Sequence, residues 1–126
     1  MGELFSIRAY TDGSSTSGTC TIVSDLIYGT ASYIRIPKGM SLKIWGKRVM
    51  GEGATRFDIQ YTHDVTVASP TWTTLCSENL ASAGEMSLEK RRPLILKGYT
   101  GKEAVRINWS QASAALASLE LDIEVE

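Results

Sequence analysis

The 126-residue sequence predicts an all-β fold: one antiparallel β-sandwich of the jelly-roll type spanning residues 1–126, with about eight strands. Three observations lead there. Apolar and polar residues alternate strictly in several short runs, which is the two-residue period of a half-buried strand. Gly, Pro, Asp and Ser punctuate those runs at intervals of roughly 8–15 residues. The alternation is one-sided, so each sheet has a dry face and a wet face, as antiparallel sandwiches do.

Leu4 to Tyr10 forms the first predicted strand, with Phe5, Ile7 and Ala9 on one face and Ser6 and Arg8 on the other. Thr11 to Thr19 reads as a Gly/Ser loop opened by the turn pair Asp12-Gly13. Cys20 to Ser24 is a second, β-branched strand, and Asp25 to Ser32 stays undecided because Gly29 interrupts its apolar run. Tyr33 to Pro37 is strand-like, and Pro37-Lys38-Gly39 turns the chain into Met40 to Val49. There Leu42 and Ile44 oppose Lys43, Trp45 and Lys47, and Gly51-Glu52-Gly53 makes the next turn.

The central hairpin is RFDIQYTHDVTVASPTWTTL, Arg56 to Leu75. Phe57, Ile59 and Tyr61 alternate with Asp58, Gln60 and Thr62, and Trp72 anchors the returning strand as a core residue. Ser77 to Glu89 is open between a helical turn and irregular structure, since Gly84 makes a long helix costly. Arg92 to Lys97 resumes as strand, and GYTGKE (Gly98 to Glu103) is a turn. Ala104 to Trp109 puts Val105, Ile107 and Trp109 on the core face. Ser110 to Leu116 is a small-residue connector with room for one helical turn. In the closing run, Leu119, Leu121, Ile123 and Val125 alternate with Glu120, Asp122, Glu124 and Glu126.

Charge excludes some partners. With 13 basic against 14 acidic residues and a net charge of −1, long-range attraction to nucleic acid or an anionic membrane has no basis. The Lys90-Arg91-Arg92 cluster carries no interleaved aromatics and reads as a solvated face or a contact for an acidic partner. No run approaches the ~20 apolar residues of a membrane span, and MGELFSIRAYTDG lacks the pattern of a secretory signal. Glu3 makes Met1-Gly2 a poor myristoylation sequence. The expected site of synthesis is a reducing cytoplasm, where Cys20 and Cys76 are read as free buried thiols in preference to a disulfide.

Catalytic and cofactor sites are not expected. His63, the sole histidine, lies beside Asp64 in a turn with no nucleophile elbow near it. Cys20, Cys76 and His63 lack zinc-ligand spacing. Glu120, Asp122, Glu124 and Glu126 share a face, but alternate strand residues stand about 6.6 Å apart, too far to close on a cation. They are expected either to pair across strands with a basic face such as Lys43 and Lys47 or to repel unwanted strand addition. A calcium site built from Asp12, Asp25 and Asp64 stays open. GYTGK is two residues shorter than a phosphate-binding P-loop and is followed by Glu103.

A surface site is the remaining option, and Trp45 with Lys43 and Lys47 is the candidate for ligand contact. If Leu42 and Ile44 point inward, Trp45 sits on the wet face as a sugar platform or subunit contact. If the phase slips at Gly46, Trp45 is core instead.

The stretch FDIQYTHD…SPTWTTL resembles the hairpin of discoidin-like and carbohydrate-binding jelly rolls, and AVRINW is similar to a late strand of those domains. The resemblance covers about a quarter of the chain and rests on core and turn residues, so it implies fold. The sequence departs from those families in lacking a secretory signal and paired cysteines. In type, a short, low-charge, Ser/Thr/Gly/Ala-rich chain without an active site also resembles head-decoration and capsid-associated proteins of phages and other viruses. That resemblance implies a non-enzymatic structural protein of the virion, a homo-oligomer in contact with a capsid or other virion protein. A carbohydrate-binding module is the alternative, with a glycan as its partner.

Overall fold

The structure is a computed structural model and describes residues 3–24, 30–51, 55–79 and 92–126. Those residues hold eleven strands and no helix. In chain order the strands are β1 (Glu3–Tyr10), β2 (Ser17–Thr19), β3 (Thr21–Ser24), β4 (Thr30–Ala31), β5 (Ile34–Arg35) and β6 (Ser41–Gly51). They continue as β7 (Thr55–Thr62), β8 (Thr73–Asn79), β9 (Leu94–Lys97), β10 (Ala104–Gln111) and β11 (Ala117–Val125). The excess over the expected eight comes from pieces of two to four residues, too short to show a period.

Two antiparallel sheets result. The six-stranded sheet runs β4-β3-β1-β11-β6-β9, and the five-stranded sheet runs β2-β10-β7-β8 with β5 also paired to β10. Leaving out β3, β4 and β5, every step along the chain crosses to the opposite sheet except the β7–β8 hairpin. That order is compatible with a jelly roll. It also explains why the central hairpin is the most legible stretch: its pairing is local, while its neighbours pair at long range.

The core lies between the sheets. Ile7, Ile22, Ile44 and Leu121 from one sheet meet Phe57 and Ile107 from the other, all essentially without solvent exposure. Each such side chain contributes roughly 1.5–3 kcal/mol of burial. Trp109 is core as expected, and its ring lies over Gly18, where an added Cβ would come within 2.7 Å of it. At Cys20 the chain passes from the five-stranded to the six-stranded sheet, between β2 and β3, and the Cys20 amide donates to the Ile107 carbonyl at 2.7 Å. The predicted Cys20–Ser24 strand is therefore β3 alone, without Cys20, and β2 lies in what the sequence presents as loop.

Several expectations need correction. Trp72 is not core: it precedes β8, half-buried, with the Arg106 guanidinium 4.4 Å from its ring centroid. Tyr61, by contrast, is half-buried but packs against the core as its phase implies. The 110–116 connector forms no helical turn, because the Gln111 side chain donates to the Ala115 carbonyl and accepts from its amide. Glu120 and Asp122 point away from the core but are 3% and 8% exposed, so that face of β11 is not wet. Residues 1–2, 25–29, 52–54 and 80–91 lie outside the described set. With them go the Met1-Gly2 reading, most of the undecided 25–32 and 77–89 stretches, Asp25 as a calcium ligand, the turn at 52–53, and Lys90-Arg91.

Candidate functional site on the outer face of the six-stranded sheet

The polar phases of β1, β11 and β6 build this face. Cross-strand register sets Arg8, Glu120 and Arg48 in one row, and Ser6, Asp122 and Trp45 in the next. Leu4, Glu124, Lys43 and Ile95 form a third. Leu42 and Ile44 do point inward, so Trp45 is on the outer side. The phase of β6 does slip, but after Trp45: Gly46 pairs with Leu121 and Arg48 with Glu120, leaving Lys47 as the extra residue of a bulge.

The bulge lets two consecutive basic residues reach one carboxylate. Glu120 accepts from Arg48 Nε at 2.6 Å, with Lys47 Nζ at 3.2 Å and Arg8 Nη2 at 3.8 Å. The Arg48 hydrogen bond, aided by Lys47, holds the Glu120 carboxyl below its ordinary pKa despite burial. Lys43 Nζ lies 2.7 Å from Glu126 and 3.8 Å from Glu124. Their hydrogen bond raises the Lys43 pKa and lowers that of Glu126. The expected pairing of the acidic face with Lys43 and Lys47 is present, with Arg8 and Arg48 added.

The face is therefore electrically polarised. At one end three cations surround Glu120; at the other, Lys43 is the one described side chain that serves Glu124 and Glu126. Beside that second group, Leu4, Trp45, Asp122 and Glu124 line an open cleft of about 270 Å³. Of the three candidate contact residues, only Trp45 lines the cleft; Lys43 and Lys47 are committed to carboxylates nearby. Leu4 and Asp122 are the residues missed. Leu4 carried a signal, since it is a large apolar residue out of phase with Phe5, Ile7 and Ala9. Asp122 carried none, because periodicity gives the face but not the depth.

No protein-family model, curated protein or solved structure matches this chain. Geometry alone carries the functional reading.

Other candidate sites are occupied by structural roles. The His63 ring stands edge-on to Tyr61, with Nδ1 3.3 Å from the phenol oxygen. Asp12 and Asp64 each accept from amides two or three residues on, closing their own turns. Among the described residues no three His, Cys, Asp or Glu side chains cluster as metal ligands. Both cysteines are free; burial pushes the Cys20 thiol up to about 12 and the Cys76 thiol up to about 11, so neither is a ready nucleophile.

The GYTGKE loop does form an anion-binding nest, filled by the chain's own Glu103. Its carboxylate accepts from the amides of Tyr99 at 2.9 Å, Thr100 at 3.2 Å and Gly101 at 3.1 Å. Burial opposes ionisation there, but the amides outweigh it and hold Glu103 at about 2. A side chain at Gly98 would collide with the Pro37 carbonyl oxygen, which keeps the loop tight.

Proposed function

We propose that this protein is a non-enzymatic structural or interaction subunit, most concretely a virion decoration or capsid-associated protein that acts as a homo-oligomer and resides in the virion. The observation that carries this reading is the apolar content of the outer face just described. Leu4 is 60% and Ile95 53% exposed, with Val23 and Met50 also exposed among the ion pairs. Apolar residues dispersed through a fixed charge lattice suit a subunit contact, where burial supplies affinity and charge sets orientation. The short strand β9, which carries Ile95, offers an edge to which a neighbour's strand adds.

Light scattering over a concentration series tests the reading: self-association is expected, and Ile95→Asp is expected to weaken it. A chain that stays strictly monomeric and binds no capsid protein overturns it.

The second reading is a carbohydrate-binding module, favoured by the half-buried Trp45 in its cleft. Specific glycan binding that Trp45→Ala abolishes on an array would establish it in place of the first.

A further inference from the structure

We infer that the cleft between Leu4 and Trp45 is a binding site for an organic cation, the ammonium or guanidinium tip of a basic side chain. The inference deepens the interaction reading above by naming the group the face recognises.

Asp122 carries the argument. It sits on β11, the strand flanked by β1 and β6, is 8% exposed, and lines the cleft. It has no hydrogen bond or ion pair among the described residues. Every other described carboxylate in these three rows has a cation: Glu120 has Arg8, Lys47 and Arg48, while Glu124 and Glu126 share Lys43. No fully buried side-chain oxygen among the described residues lacks a partner, so the Asp122 carboxylate meets solvent through the cleft, and a cation entering there forms an ion pair screened less than one on open surface. Among the described side chains around the cleft, the carboxylates Asp122, Glu124 and Glu126 outnumber the one cation, Lys43, so the local field also favours positive charge.

The walls fit the same ligand. Trp45 presents an aromatic surface on which no cation is stacked among the described residues, and Leu4 faces it as an apolar wall. An aromatic ring beside a carboxylate suits a cation with an alkyl stem: the head meets Asp122 and the stem meets Trp45 and Leu4. The fold already uses this chemistry on its other face, where Arg106 lies over Trp72. At about 270 Å³ the cleft matches one side-chain tip; pockets for larger ligands run to roughly 300–1,000 Å³.

The test uses the full chain titrated with N-acetyl-lysine and N-acetyl-arginine methylamides, followed by the indole N–H resonance of Trp45 and assigned with Trp45→Phe. The neutral N-acetyl-norleucine methylamide serves as comparison, and the Trp72 and Trp109 indoles as internal references. Saturable shifts at Trp45 alone are expected, with a dissociation constant on the order of 1 mM. Asp122→Asn is expected to weaken binding about tenfold or more. Leu4→Arg, at an exposed position on the cleft wall opposite Glu124, is expected to keep the fold, put a guanidinium in the cleft and block the titration. Equal binding of the norleucine amide, unchanged binding in either variant, or no shift with the charged amides up to roughly 20 mM, some twentyfold above the expected constant, overturns the inference.

Sedimentation identifies the source of the cation. Self-association that the lysine amide competes away assigns it to a second copy of this chain. Lysine-amide binding by a chain that remains monomeric keeps the cation site and removes the homo-oligomer reading.

Discussion

The two outer faces of the sandwich are built on the same alternation but held by different chemistry. On the six-stranded sheet the polar phase is ionic: Glu120 with three cations, and Lys43 with two carboxylates. On the five-stranded sheet it is mainly hydrogen bonds among shorter polar groups, with one ion pair, Arg56 with Asp58. Asp58 accepts from Ser77 at 2.6 Å and Arg56 at 2.9 Å, Thr19 donates to Asn108 at 2.8 Å, and Arg106 donates to Gln60 at 2.8 Å beneath Trp72. The second face satisfies its own groups at short range and resembles finished surface. The first buries two carboxylates in a polar phase, one of them with no partner among the described residues, and exposes Leu4, Val23, Met50 and Ile95. Identical strand patterns thus hide a closed face and an open one.

The sharpest way to break this contrast is Glu120→Ala. Removing a buried carboxylate that organises three cations is expected to cost about 2–3 kcal/mol by urea denaturation, below the usual range for a buried pair because the cations rehydrate. A cost under about 0.5 kcal/mol would mean the ionic lattice is ornamental. Acid should act on the same groups. Glu120, Glu126 and Glu103 have folded pKa values below their ordinary 4.5, so their contribution is complete above that pH. It is lost as pH falls through the depressed folded values, down to about 2 for Glu103. A urea midpoint that holds steady from pH 6 to pH 3 would contradict this.

On the opposite face, Asp58→Ala is expected to cost about 1 kcal/mol, the worth of its hydrogen bonds, with the same denaturation assay. Arg106→Lys should cost less, about 0.5–1 kcal/mol, through loss of the planar contact with Trp72 and the bond to Gln60. Salt gives the smallest effect: raising NaCl from 0.1 to 1 M should lower stability by about 0.5 kcal/mol or less in the parent and hardly at all in Glu120→Ala. If Glu120→Ala keeps the full salt dependence, the difference between the faces lies elsewhere.

Sequence alone made most of the sandwich legible because its longer strands each bury one phase of a two-residue period. Phe57, Ile59, Ile107 and Leu121 were readable on that ground, as was the pairing of Lys47 with the acidic strand. Trp72 was misread because phase beyond the end of a regular strand carries no information, and the residue leaves the core side before β8 begins. Arg48 was hidden by the bulge, which changes parity at a point no composition rule marks. The cleft was half legible: Trp45 was singled out, and Leu4 showed itself as an apolar residue on the wrong side. Depth at Asp122 depends on what β1 and β6 lay over it, which is a property of three strands far apart in the chain.

The bulge at Lys47 also says how this strand responds to changes in length. In MSLKIWGKRVM the inward residues are even-numbered up to Gly46 and odd-numbered from Val49 on, so one residue is surplus to the pairing. Deleting Lys47 would carry Gly46 directly to Arg48 with every later partner on β11 retained, at the cost of one charge. Deleting any neighbour in the regular part would instead have to draw on that surplus to keep Leu42 and Ile44 facing the core. The strand carries its own slack, placed where the basic cluster is, so the number of cations on this face can vary while the register of the sheet stays fixed.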